Sequence, residues 1–254
     1  MSTGRAGERL PLRRSVFWGT LFLGLLLFGV LIALGTWQVK RLAWKEALIA
    51  TIAERVEATP RPLGEIEALY AQTGDVDYWS AAARGTFLHD RESHFLATWQ
   101  GSSGFFVYTP LRLDYGRILM VNRGFVPFDR KDPATRPEGQ VDGPVTIEGL
   151  ARNPLAEKPS FIVPDNDPAK NVFYWKDLGA MAARAGVPAE ELLPFFLDAG
   201  AAPVPGGLPV GGVTLIDMPN SHLQYAVTWY GLAATLLVVL VLMLRRKPGS
   251  PARP

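Results

Sequence analysis

Three side chains with ligand or aromatic chemistry stand at the start of an apolar run near the C-terminus. Residues 219–231 read PNSHLQYAVTWYG, and in a helix His222, Tyr225 and Trp229 would share one face at i, i+3 and i+7. Neutral imidazole binds haem iron through one ring nitrogen, and aromatic neighbours can cover a macrocycle. Trp and Tyr also concentrate at membrane borders because they are amphipathic. The spacing therefore leaves two interpretations: a haem site with His222 as the iron ligand, or an interfacial aromatic belt, which composition alone favours.

A second cluster follows another apolar run near the N-terminus. In GTWQVKRLAWK, the residues Trp37, Arg41 and Trp44 stand at i, i+4 and i+7, which is again one helix face. If both apolar runs cross a membrane, this cluster and His222 lie on the same side of it. The Arg41 guanidinium could pair with a haem propionate, because its planar fork matches a carboxylate. The alternative is an Arg41 side chain that snorkels to the interface.

The other two histidines lie close together in the segment HDRESH. Across a hairpin, His89 and His94 could approach each other and bind a metal with Asp90 or Glu92. The alternative is a pair of solvated histidines on a polar turn. We make no assignment for them from the sequence.

The chain offers no recognisable catalytic machinery. The GSSG segment at 101–104 is not a G-x-S-x-G nucleophile turn, and the sequence contains no GxGxxG, GxxxxGK[ST], HExxH or CxxC. The absence of cysteine in all 254 residues excludes disulfides and thiolate catalysis. We therefore predict no enzyme activity and no catalytic residue. The net charge of +2 comes from basic residues at the borders of the apolar runs, so we expect no nucleic-acid partner.

Two uncharged apolar blocks, at 16–37 and 226–244, have the length of membrane spans. A cleaved signal peptide would have a shorter apolar region than the first block. Arginines precede the first block, and RRK follows the second, which predicts that both termini are cytoplasmic. The expected organisation is a cytoplasmic N-terminus at 1–15, transmembrane helix 1 at 16–37, an extracytoplasmic β-rich domain at 38–220, transmembrane helix 2 at 221–244 and a cytoplasmic tail at 245–254.

Between the spans, the pattern changes from helix to strands. Apolar residues on one face predict a helix at 38–58, and a less marked helix or turn region covers 63–76. A short helix at 176–185 would begin at the N-cap Asp177 and end at Gly186. Six strands are expected, at 83–88, 94–99, 105–113, 118–126, 144–152 and 192–200.

Turn signals complete this expectation. The segment DYGR at 114–117 predicts a hairpin, and 131–143 is a loop. Pro110 lies inside a predicted strand, so we expect an edge or a bulge there. The fold class is then a membrane protein in which two transmembrane α-helices enclose one α+β, mainly antiparallel β, extracytoplasmic domain.

Four stretches of the chain resemble the Surfeit-locus family of cytochrome c oxidase assembly factors. They are LGTWQVKRLAWK at 34–45, LMVNRGFVP at 119–127, VTIEGLARNP at 145–154 and PNSHLQYAVTWYGLA at 219–233. They occur in the family's order and nearly span the chain. The family commonly has tryptophan where Phe125 stands and asparagine where Ser221 stands.

The resemblance implies a non-enzymatic factor that binds haem a and assists its insertion into the catalytic subunit of haem-copper cytochrome c oxidase. The family's favoured haem contact is the histidine that matches His222. Implied partners are the oxidase catalytic subunit, the lipid bilayer and, as a further candidate, haem a synthase. The alternative is a cofactor-free membrane scaffold that stabilises an oxidase assembly intermediate. A short N-terminus containing Glu8 is unlike a transit peptide, which favours a bacterial-type member in the bacterial plasma (inner) membrane.

Overall fold

The computed structural model describes residues 14–216 and 218–245. These residues form two compact units, one made of 14–50 with 218–245 and the other of Thr51–Ile216. The segments expected on the cytoplasmic side, 1–15 and 245–254, lie almost wholly outside the described residues. The domain boundaries given above stay predictions.

Four α-helices are present in the described residues: α1 (Arg14–Glu57), α2 (Leu63–Thr73), α3 (Leu178–Arg184) and α4 (His222–Arg245). Of these, Ser15–Glu57 and His222–Arg245 are long and apolar enough to cross a membrane. The first predicted span and the predicted helix at 38–58 form one continuous helix of 44 residues. At about 1.5 Å per residue, α1 is roughly twice as long as the hydrocarbon layer of a bilayer is thick.

The short helix α3 has the predicted N-cap and is followed by the predicted glycine. The Asp177 side chain accepts a hydrogen bond from the Ala180 N–H, which caps α3, and Gly186 follows the helix with a φ of +63°. Gly74 ends α2 in the left-handed conformation, and its N–H donates to the Tyr70 carbonyl. Of the helix or turn region expected at 63–76, residues 63–73 are thus helical.

All six predicted strands are present, and the sequence pattern missed one two-residue strand. The strands are β1 (Arg61–Pro62), β2 (Ser80–Phe87), β3 (Ser93–Trp99), β4 (Ser102–Leu113), β5 (Ile118–Pro127), β6 (Pro144–Arg152) and β7 (Leu192–Ala199). The hairpin predicted at 114–117 joins β4 to β5, and the Leu113 N–H donates across it to the Arg117 carbonyl.

Five of the strands close into a barrel in the order β2, β6, β7, β5 and β4, because β4 pairs with both β5 and β2. Only β5 and β7 run parallel within this ring. The prediction of a mainly antiparallel α+β domain between two apolar helices is confirmed. The closure was not predicted. Fully buried Leu111, Val121 and Phe195 belong to the main core, against which α2 packs Ile66.

Pro110 lies in the ring strand β4, which has neighbouring strands on both sides and is not an edge strand of the sheet. Residues 102–108 of β4 pair with β3, whereas 111–113 pair with β2. Pro110 lies between these two partners, and its carbonyl accepts from the Leu88 N–H at 2.9 Å. Proline has no N–H to donate, and Pro110 thus stands at the position where β4 changes its neighbour from β3 to β2. A register shift, the other expectation, occurs between Val107 and Tyr108.

Candidate functional site

The helix pair formed by α1 and α4 is joined along a narrow seam. On α1, the buried positions recur at alternating intervals of three and four residues, which is the period of two antiparallel helices in contact. The buried or half-buried seam residues of α1 are Phe17, Leu21, Gly24, Phe28, Leu31, Gly35 and Gln38. The corresponding buried or half-buried residues of α4 are His222, Ala226, Trp229, Ala233, Leu236, Leu240 and Met243.

Two glycines let the helices approach closely. A Cβ atom on Gly24 would come within 2.5 Å of Leu240 Cδ2, and one on Gly35 within 2.8 Å of Tyr230 Cε1. In a bilayer the hydrophobic effect does not drive helices together, because lipid tails are as apolar as the helices. Membrane helices therefore associate by close packing, which small residues at the contact allow. The glycines therefore fix the register in which the polar residues at the end of the seam meet.

The seam ends in a pair of polar residues at the start of α4. His222 Nδ1 and Gln38 Oε1 lie 2.8 Å apart, and the Gln38 side chain is only 8% exposed. Because an amide oxygen can only accept, His222 Nδ1–H donates to it. In the neutral form of the ring, the lone pair is then on Nε2, and among residues 14–216 and 218–245 no hydrogen bond reaches that atom.

A second polar contact joins α1 and α4 along one side, or flank, of the seam. The Thr36 hydroxyl donates to the Ile32 carbonyl at 2.9 Å, so the Tyr230 hydroxyl, 3.1 Å away, donates to Thr36. Thr36 and Tyr230 each follow a seam position by one residue. In two antiparallel right-handed helices, the residues directly after seam residues in the sequence lie on one flank of the pair. The residues directly before seam residues lie on the other flank.

The opposite flank carries the other aromatic and basic side chains. Trp37 and Tyr225 each precede a seam position by one residue, and Arg41 and Trp44 follow Trp37 at i+4 and i+7 on the same face of α1. The tryptophan and tyrosine at its centre are exposed, Trp37 by 56% and Tyr225 by 52%. Arg41 stacks its guanidinium on Trp44 at 3.9 Å from the ring centroid. These four residues define the aromatic flank, of which Tyr225 lies one turn from His222 on α4.

The predicted site residues are thus divided between seam and flank. His222 and Trp229 lie on the seam, whereas Trp37, Arg41 and Tyr225 lie on the aromatic flank. Trp229 stands two turns from His222 between Ala226 and Ala233, a position that packs the helices together. Sequence reasoning missed Gln38. Its signal was a polar residue continuing the apolar three-and-four spacing of α1.

The donor set fits a haem. A single neutral imidazole with a free Nε2 is a common protein ligand of haem iron. The exposed indole and phenol faces of the aromatic flank suit a macrocycle, and Arg41 suits a propionate. The roles of these residues toward haem stay predictions at this point.

The two histidines of the barrel unit are engaged differently. His89 Nε2 donates to the Val141 carbonyl at 3.0 Å, and its Nδ1 accepts from Arg123 Nη1 at 3.2 Å. His94 is 4% exposed, and its Nδ1 accepts from Asn171 Nδ2 at 2.7 Å. In both rings the lone pair is occupied. Among the described residues, no group of three or more His, Asp or Glu side chains could hold a metal ion.

A buried charge cluster surrounds His94. Glu92, 3% exposed, receives hydrogen bonds from Arg136 at both carboxylate oxygens and from Arg123 Nη1 at 3.2 Å. Burial, together with the positive charges of Lys131, Arg136 and Arg184, lowers the pKa of the His94 ring to about 3. His94 is therefore neutral at physiological pH. Burial also lowers the pKa of Arg123 to about 10, which leaves it charged.

Asp198 forms a second buried polar centre in the barrel. It accepts from Asn122 Nδ2 at 3.1 Å and from the Thr214 hydroxyl at 2.8 Å, and Lys176 Nζ lies 3.7 Å away. The sequence signal was the pair Asn122–Arg123, which interrupts an otherwise apolar strand. These groups satisfy one another, so their chemistry is that of a structural network.

The chain matches the SURF1 family over residues 25–234. It is 39% identical over 251 residues to Surfeit locus protein 1 of Homo sapiens, a match that covers 91% of this chain and 79% of the human protein. It is 37% identical over 249 residues to the same protein of Rattus norvegicus, covering 91% and 77%.

The SURF1-like protein of Monosiga brevicollis is 38% identical over 248 residues, covering 92% of this chain and 89% of that protein. These three relatives are eukaryotic, so the bacterial-type assignment stays a prediction. The family match includes Gln38 and His222 together with the whole barrel unit. The chain belongs to the SURF1 family.

Proposed function

We propose that this protein is an assembly factor for haem-copper cytochrome c oxidase that carries haem a on its helix pair. The SURF1 family consists of non-enzymatic oxidase assembly factors, which supports the first part. The observation that carries the second part is the hydrogen bond from His222 Nδ1–H to Gln38, because it leaves Nε2 as a free iron ligand beside the aromatic flank.

Each residue of the site has a distinct task in this proposal. His222 binds the iron through Nε2, and Trp37 and Tyr225 shield the ring of the cargo from lipid and water. Arg41, already held against Trp44, pairs with a propionate. Trp229 keeps the helices together beneath the site. In this proposal haem a is a cargo, and it is released from the protein without being chemically changed.

The site suits a cargo that must be released. Of the three histidines in the sequence, only His222 belongs to the helix pair, so this pair supplies a single imidazole ligand. The tryptophans and the tyrosine of the aromatic flank are about half exposed, so a partner could reach the cargo while the seam stays folded. A haem held by one imidazole and an exposed flank is bound more weakly than one enclosed between two ligands.

We place the protein in the bacterial plasma membrane with both termini cytoplasmic, and its partners are the oxidase catalytic subunit and, as a further candidate, haem a synthase. The two apolar helices support the membrane location. The clusters of basic residues at 5–14 and 245–247 support the orientation. A fusion of an alkaline phosphatase reporter to each end of the chain tests the topology, since that enzyme is active only outside the cytoplasm.

A cofactor-free scaffold is the second candidate function. It is favoured by two adjacent apolar side chains on the barrel unit, Phe161 at 92% and Ile162 at 77% exposed. Such fully exposed apolar groups are typical of a surface that another protein covers. In this case the barrel would hold an oxidase assembly intermediate, and the helix pair would serve as an anchor.

Complementation of a gene deletion separates the two candidates. Deletion should lower the yield of haem-loaded oxidase while total haem a is retained. If the protein carries haem, His222→Ala should fail to restore the oxidase, whereas the double variant F161S/I162S should restore it. The reverse pattern would favour the scaffold. Loss of total haem a in the deletion strain would contradict both and indicate a role in haem synthesis.

A further inference from the structure

We propose that Gln38 is a positioning residue that sets the tautomer of His222. It accepts the Nδ1 proton and thereby directs the Nε2 lone pair toward the ligand. The inference rests on the proposed haem function for its purpose, but the tautomer itself is a property of the cargo-free protein. The supporting geometry is the 2.8 Å contact between Gln38 Oε1 and His222 Nδ1.

The orientation of the Gln38 amide decides whether His222 can bind a metal. A neutral imidazole carries one proton on either Nδ1 or Nε2. When the amide oxygen faces Nδ1, the proton is on Nδ1 and Nε2 is free. If the amide NH2 group faced Nδ1 instead, the proton would be on Nε2 and would block the ligand atom. Metal-bound histidines commonly donate their second N–H to an oxygen, which is the arrangement seen here.

The surroundings of Gln38 make this oxygen a rigid acceptor. Gln38 is buried on the seam, although its neighbour Trp37 is largely exposed. The two helices also approach closely at Gly35, one turn away, where an added Cβ atom would lie 2.8 Å from Tyr230 Cε1. A buried amide that lost its partner would leave a polar group unsatisfied, which costs stability. The seam thus holds Gln38 and His222 in one mutual arrangement.

The role of Gln38 is tested first without haem. We would label the histidines of the full-length protein with nitrogen-15 and record the ring nitrogen shifts of His222 in detergent micelles. We expect the Nδ1–H tautomer in the wild type and a shift to the Nε2–H tautomer in Gln38→Leu. Gln224→Leu, which changes an exposed glutamine on α4, is the matched control and should leave the tautomer unchanged.

A haem titration of the same proteins supplies the second readout. Gln38→Leu should weaken haem binding about 10- to 100-fold, as is usual when the residue that orients a metal ligand is removed. Gln38→Glu can accept the same proton, so it should retain haem, and its stronger acceptor should lower the haem midpoint potential. Far-ultraviolet circular dichroism should be the same for all variants.

Different results would overturn the two proposals separately. An Nε2–H tautomer in the wild type, or an unchanged tautomer in Gln38→Leu, would overturn the assignment to Gln38. Equal haem affinity and midpoint potential in the wild type and Gln38→Leu would do the same. An Nδ1–H tautomer that is lost in Gln38→Leu, in a wild-type protein that binds no haem, would confirm the assignment and contradict the proposed haem function.

Discussion

The helix pair and the barrel both contain buried polar groups, but they use them in opposite ways. In the barrel, the lone pair of His94 accepts a hydrogen bond from Asn171, and Glu92 is neutralised by two arginines. On the helix pair, His222 donates its only proton to Gln38 and keeps its lone pair free of hydrogen bonds to the described residues. A histidine whose acceptor atom is occupied stabilises a fold, and one whose acceptor atom is free can bind a ligand.

The two regions also differ in how the polar groups are supported. The charges around Glu92 form a network in which each partner has several contacts, whereas the Gln38–His222 pair stands at the end of an apolar seam. Removing a group from the barrel should therefore affect folding. Removing a group from the end of the helix pair should affect binding.

The barrel charge cluster should respond most strongly to substitution. Glu92→Gln would remove the negative charge that compensates Arg123 and Arg136, and leaving buried charges unpaired costs about 3–5 kcal/mol. We expect a matching loss in the free energy of unfolding, measured by urea titration. Asp90→Asn, at an exposed neighbouring acid, is the control and should change it by less than about 0.5 kcal/mol. Similar losses in the two variants would remove the distinction between the buried cluster and its surface.

The pH dependence of stability should come from the barrel histidines. The pKa of His94 is about 3 in the folded protein, well below the ordinary value of 6.5, because of burial and then of Lys131 and Arg136. Between these values the unfolded chain takes up a proton and the folded chain does not. Stability should therefore be complete above pH 6.5 and fall by up to about 1.4 kcal/mol per pH unit below it.

Urea titrations at about pH 7 and pH 5, on either side of the ordinary histidine pKa, test this dependence. His94→Gln should lose less stability between these pH values than the wild type does. Burial also lowers the pKa of His89, so part of the slope should remain. An unchanged slope in His94→Gln would show that His94 is not held neutral in the fold.

A smaller loss of stability is expected at the close contact of the helix pair. Gly35→Ala would place a methyl group 2.8 Å from the Tyr230 ring, and overpacking of this kind costs about 1–3 kcal/mol. A Cβ atom added to Gly29 would meet no atom of the described residues within 4 Å, so Gly29→Ala should be neutral or slightly stabilising. The thermal midpoint in detergent should fall for the first variant only. A fall in both would mean that the seam does not depend on Gly35.

The aromatic flank should respond least. Arg41→Ala would remove a cation that stacks on Trp44, and such a contact contributes about 0.5–1 kcal/mol at an exposed site. An exposed ion pair between Arg41 and a propionate would contribute up to about 1 kcal/mol, so we expect haem retention to weaken by at most about fivefold, which is less than for His222→Ala. Arg41→Lys, which keeps the charge, should lie between Arg41→Ala and the wild type. If both variants retained as much haem as the wild type, Arg41 would not contact haem, and the alternative that it snorkels to the membrane interface would hold.

Local signals in the sequence were sufficient for most elements of the fold. The alternation of apolar residues located the six main strands, and Asp177 with Gly186 delimited α3. Barrel closure escaped prediction because it depends on β4 changing partners from β3 to β2, which only the assembled sheet determines. The same applies to Arg136, which lies in a predicted loop yet reaches Glu92 in the interior.

The candidate site was predictable in its residue types and less so in its arrangement. The i, i+3 and i+7 spacing identified His222, Tyr225 and Trp229, but a helical wheel cannot say which of them faces another helix. The partner of His222 is 184 residues away in sequence, and its identity depends on the register set by Gly24 and Gly35. A polar residue on an apolar heptad face was the available signal for Gln38.

The proposed function depends above all on haem binding by His222 and by neither barrel histidine. The visible absorption spectrum of the detergent-purified protein from cells that make haem a, recorded beside His222→Ala and His94→Gln, tests this directly. We expect a haem band in the wild type and in His94→Gln, and its loss in a folded His222→Ala. A band that survives in His222→Ala, or no band in any sample from haem-replete cells, would contradict haem binding at His222.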